Sequence, residues 1–161
     1  MEKFIQPFIA TCEKVFSDFC KTTVKSSRVF FTSKDEHVTQ WDISGIIGMS
    51  GEANGAVAIS MKEATACKIA KILTGEDHSY IDEYVTDAVG EIINIITGNV
   101  KRDFEEDLRI KISLPSIIKG KAHSIVWPSA KTRIICIPFS IFENQEMCLS
   151  VAVDPADKRS V

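Results

Sequence analysis

Apolar positions at the start of the chain, Phe4, Ile5, Phe8, Ile9, Cys12, Val15, Phe16 and Phe19, recur every three or four places. That spacing predicts an amphipathic helix ending near Thr22, with Pro7 tolerated in its first turn, where the missing N–H is not needed. The period then drops toward two. Residues 28–37 and 41–51 are rich in β-branched and aromatic side chains, and Gly51-Glu-Ala-Asn-Gly55 has the turn chemistry of a hairpin leading into a strand over 56–61. A helical period returns over 62–73 through Ala64, Cys67, Ile69, Ala70 and Leu73, and Gly75 stands where a left-handed C-cap is expected.

Residues 77–79, Asp77-His78-Ser79, read as a loop and N-cap region for a long helix over 80–106. Within that helix, at about 100° per residue, Asp87, Glu91, Asn94 and Gly98 fall within roughly 60° of one another. Val89, Ile92, Ile93, Ile96 and Val100 occupy the opposite arc, so one face is core and the other is chemistry or solvent. Gly98 lies in the stripe and Gly90 beside it, each costing about 1 kcal/mol relative to Ala in a helix interior. An acid-x-x-x-Glu-x-x-Asn spacing also occurs on ordinary solvated faces. Here Asp87 meets Glu91 at i+4 instead of a Lys or Arg, a mildly repulsive pair that awaits a cation. Gly90, Thr97 and Gly98 are small and are expected to leave Glu91 and Asn94 open to an approaching partner. A carboxylate can dock a lysine and an amide can orient a water molecule, whereas an Asn side chain cannot transfer a proton.

Strand signals resume from Arg109, with candidate strands over 119–126, 132–142 and 147–153 and a turn at Glu143-Asn-Gln-Glu146. The strand, turn, strand plan of 41–61 is echoed at 132–153, which suggests a pseudo-symmetric α/β unit with its helices on one sheet. At 161 residues and 45% apolar, the chain fits a single domain over 1–155 with a polar tail at 156–161. A net charge of −3, with no basic run longer than Lys101-Arg102, gives no footprint for nucleic acid. No apolar run approaches the ~20 residues of a membrane span, and the chain opens directly into an amphipathic pattern, so a cytoplasmic protein is expected. The five cysteines are scattered without a C-x-x-C pair and the three histidines are dispersed, so no metal site is expected. No Ser-His-Asp or Cys-His arrangement has local context. The segment 45–51 lacks the lysine of a phosphate loop and the G-x-G-x-x-G spacing.

Several segments together resemble the CheC/CheX/FliY family of chemotaxis phosphatases, most closely its CheX-type members. They are Phe4-Ile-Gln-Pro-Phe-Ile-Ala10 with Val15-Phe16, the 51–60 hairpin, the 65–75 helix, and Asp87-Ala-Val-Gly-Glu-Ile-Ile-Asn94 followed by Gly98. In the family pattern an Asp or Ser precedes the Glu by four and the Asn follows it by three. CheC-type relatives carry the motif twice. The first helix here has Gln6, Ala10 and Glu13 at comparable spacing without the Asn, so one site per chain is expected. The resemblance implies an α/β (α+β) fold, a mostly antiparallel sheet with long helices on one face in a pseudo-two-fold arrangement. It also implies a hydrolase acting on the aspartyl phosphate of the response regulator CheY. Asn94 would direct the water and Glu91 would contact the receiver lysine. Asp87 would orient or charge the contact surface, with Gly90 and Gly98 also partner-facing. The Mg²⁺ of the reaction would belong to CheY, the chain itself needing no cofactor, and a homodimer joined at a sheet edge is implied, with 119–126 the expected edge. The rival readings are a non-catalytic module that binds response regulators and a small-ligand-binding α/β domain, for which no convergent polar pocket is evident.

Overall fold

The computed structural model describes residues 2–32, 40–104, 109–127 and 132–154. The first helix, α1, spans Glu2–Cys20. It stops because Lys21 turns into the left-handed region at φ 49°, Thr22 N–H reaches back to Phe16 O at 3.3 Å, and Lys21 Nζ covers the Asp18 carbonyl at 2.8 Å. Pro7 lies inside this helix and not in its first turn. Two short strands follow, β1 (Lys25–Ser26) and β2 (Phe30–Thr32), then the long hairpin of β3 (Trp41–Gly51) and β4 (Asn54–Met61). The remainder of the strand expected to run to residue 37 lies outside the described residues. At the hairpin turn Gly51 holds φ +119°, and a Cβ there would collide with the Arg109 carbonyl. The second helix, α2 (Glu63–Thr74), ends on Gly75 at φ 80°, as the sequence predicts.

Helix α3 runs Glu83–Phe104, followed by β5 (Ile110–Ile112), β6 (Ser116–His123), β7 (Arg133–Ile141) and β8 (Gln145–Asp154). The final turn occupies 142–144, a residue earlier than expected, with Phe142 and Glu143 at positive φ and Asn144 N–H bonding Phe142 O at 2.7 Å. All described strand pairs are antiparallel, in the order β1-β7-β8-β4-β3-β5, with β2 also on β7 and β6 also on β3. The pseudo-two-fold is visible in that order. The central pair β4 and β8 is flanked by β3 and β7, and each half of the chain lends its short strands to the other half's hairpin.

Alternation along the strands sorts the side chains. Ile43, Ile47, Val57, Ile59, Ile137, Phe139, Leu149 and Val151 point to one face, where they form a common core with Phe8, Phe16, Ile69, Ile92, Ile93 and Ile96 of the helices. The opposite face carries a smaller cluster of Trp41, Ile134, Cys136, Cys148 and Ala152, with Phe30 and Trp127 against it. The helices therefore pack on one face, as the sequence implies. All five cysteines are free and buried, and burial lifts the Cys20 thiol to about 11. No helix among the described residues is long and apolar enough to cross a membrane.

Candidate active site

The helix that carries the stripe is anchored at its start by Asp82, not by residues 77–79. Asp82 Oδ1 accepts Val85 N–H at 2.9 Å and its carbonyl accepts Thr86 N–H at 3.1 Å, an N-cap arrangement. The same carboxylate lies 2.7 Å from His78 Nδ1, whose Nε2 lies 3.0 Å from Thr74 Oγ1, so α3 is tied to the last turn of α2. The Val85 N–H, and after it His78, holds the Asp82 carboxyl below the ordinary aspartate range. A distant residue supports α2 in a similar way. Lys62 supplies no side-chain cap, and Asp42 of β3 accepts Glu63 N–H at 3.0 Å instead.

Below the stripe the helix lies close on the sheet. A Cβ built on Gly45 of β3 would come within 3.0 Å of Ile93 Cγ2 and 3.3 Å of Val89 Cγ1. Val89, Ile92, Ile93 and Ile96 are buried, so rotation of the helix about its axis would drive branched apolar groups into water. The outer face is therefore fixed. Asp87, Glu91 and Asn94 are all exposed on it, and none has a hydrogen bond or ion pair among the described residues. Gly98 is half-buried and a Cβ there would meet nothing within 4 Å.

Gly90 and Thr97 sit differently from expectation. Both are buried, because they lie on the flank of the helix that turns toward the sheet edge. A Cβ on Gly90 would meet Ile117 Cδ1 at 3.7 Å and Pro115 Cγ at 3.9 Å, ordinary van der Waals distances, so this flank of the helix lies against Pro115 and the start of β6. The residue the sequence reading passed over is Tyr84. It falls about 20° from Glu91 around the helix axis, is 54% exposed, and extends the stripe by one turn. Its i−3 spacing from Asp87 was legible, but an aromatic at that spacing reads equally as core. No group of three or more His, Cys, Asp or Glu that could hold a metal occurs among the described residues.

The fold is thus an antiparallel sheet with its helices on one face, and α3 turns an acid, a glutamate and an asparagine outward from it. The family model for chemotaxis phosphatase CheX matches residues 43–140, and the chain belongs to that family. It is 24% identical over 110 residues to the CheY-P phosphatase CheX of Thermotoga maritima, covering 67% of this chain and 69% of the relative. Its fold matches the crystal structure of the chemotaxis protein CheX from Vibrio vulnificus with a TM-score of 0.85 at 30% identity, over 94% of this chain and 99% of the other. It also matches the CheX chain of a CheX-CheY-BeF3-Mg complex from Borrelia burgdorferi, with a TM-score of 0.80 at 22% identity, over 94% and 98% of the two chains.

Proposed function

We propose that this chain hydrolyses the aspartyl phosphate of a CheY-type response regulator, using Asn94 to orient the attacking water and Glu91 to engage a cationic side chain of the receiver domain. The observation that carries the reading is the outward projection of Asp87, Glu91 and Asn94 from one face of a capped helix whose other face is buried, with no side-chain partner among the described residues. An acyl phosphate is already prone to hydrolysis, so positioning and charge complementarity suffice, and no proton need pass through the amide. The magnesium that neutralises phosphoryl charge is brought by the response regulator, the partner that accompanies the Borrelia relative in its complex. A homodimer is part of the same proposal. Strand β6 pairs only with β3 among the described residues, which leaves its outer edge available for a second copy. That strand is Ser116–His123, so the expected edge at 119–126 both begins and ends three residues earlier than foreseen.

The test is to phosphorylate CheY with a small-molecule phosphodonor and follow loss of the acyl phosphate with and without this chain. Acceleration is expected, and Asn94→Ala should reduce it by about 10² to 10³, the usual cost of losing one transition-state contact. Binding without acceleration would leave the adaptor reading in place. Near-normal turnover by Asn94→Ala would sink the role given to the amide.

A further inference from the structure

The loop between β5 and β6 runs beside α3 on one side only. It is pinned to the sheet by Ser113, whose N–H donates to Gly48 O at 2.9 Å and whose Oγ accepts Gly48 N–H at 2.9 Å while donating to Leu114 O at 2.8 Å. Pro115 and Ile117 close against the helix at Gly90. Leu114, held between these fixed neighbours, is nevertheless 85% exposed. A lone exposed leucine on a mobile loop needs no explanation. One presented by a pinned loop beside a site is different, because its orientation is already ordered before anything binds.

Asn94 follows Gly90 by one turn and lies about 40° from it around the axis. Leu114 therefore stands on the Asn94 side of the stripe. Tyr84 stands at its N-terminal end, its ring 6.0 Å from that of His78, which is itself fixed by Asp82 and Thr74. Between these apolar groups lie Asp87 and Glu91, with no ion pair among the described residues to offset their mutual repulsion. A cation entering there would gain from both carboxylates, and apolar flanks around it would exclude water and strengthen the attraction.

We infer that Leu114 and Tyr84 are the apolar docking residues of this site, flanking the carboxylates so that a receiver domain binds with a cationic side chain against Asp87 and Glu91 and apolar surface over both flanks. The inference rests on the proposed phosphatase reading, which supplies the occupant. It adds a residue from outside the helix, set by the β5 to β6 loop.

The experiment measures binding of beryllofluoride-loaded CheY, a stable mimic of the phosphorylated form, to the wild type, Leu114→Ala, Tyr84→Ala and Leu114→Met. Turnover of phosphorylated CheY is followed in parallel. Each alanine variant should raise Kd and KM about tenfold, the scale of an interface anchor, without the fall in kcat expected of Asn94→Ala. Leu114→Met should restore most of the affinity, and all three should melt with the wild type because the side chains are exposed. Kd values within about twofold of wild type for both alanine variants would overturn the inference while leaving the phosphatase reading intact. Failure of the wild type itself to bind the loaded receiver would overturn that reading, and the inference with it.

Discussion

Replacing Gly98 by alanine separates two things the stripe does at once. Gly98 lies inside α3, six residues before its end at Phe104, where a glycine costs about 0.5–1 kcal/mol relative to alanine. Its φ is not in the left-handed region, and a Cβ there would find nothing within 4 Å. No strain or clash opposes the gain. Gly98→Ala should therefore stabilise the protein by about 0.5–1 kcal/mol, equivalent to a rise in Tm of about 1–4 °C for a domain of this size. Urea titration and calorimetry measure the first part. If the receiver packs against the bare Cα, the same variant should show a raised KM toward phosphorylated CheY in a protein that is more stable, a combination that damage to the fold cannot produce. A fall in Tm would refute the helical argument. An unchanged KM would remove Gly98 from the docking surface.

Ile96→Ala, on the opposite face and fully buried, should cost about 2–5 kcal/mol; a urea-derived loss below about 0.5 kcal/mol would mean that the helix faces the other way. Glu91→Ala should raise KM more than it lowers kcat, since the lost contact is to a cation in the bound partner, and a variant with wild-type KM would contradict the docking role. The Asp82 carboxyl is depressed by the Val85 N–H and His78, so its contribution is present above the ordinary aspartate range and disappears as pH falls through the depressed folded value. Tm of the wild type should therefore drop faster than that of Asp82→Asn in acid, and parallel curves would count against it. Light scattering at micromolar concentration should give twice the 17.9 kDa chain mass; a monomer would refute the dimer.

The long helix and its stripe were legible because burial on one side imposes a 3.6-residue period that no other element imitates, and Gly75 marked the end of α2 through its own backbone freedom. The β3 strand matched its expected span for a related reason, since an apolar run bounded by a glycine turn leaves few alternatives. Other features depended on residues far apart in the chain. Nothing near Lys62 announces that Asp42 caps α2, and nothing near Gly90 announces that Pro115 and Ile117 lie against its flank of the helix. Strands as short as β1 carry too few residues for a period of two to register.

The exchange of short strands between the two halves has a consequence for how the chain must be made. Lys25 pairs with Ser140, and Phe30 with Cys136, so β1 and β2 find their neighbours only after about a hundred further residues have been made. Until then β2 has no strand to lie on, and Phe30 lacks the Ile134 and Cys136 cluster it packs against. Folding that waits on such distant pairings is intrinsically slow and leaves apolar surface open to other chains. The symmetry that frames α3 thus also delays closure of the sheet beneath it until β7 has been made.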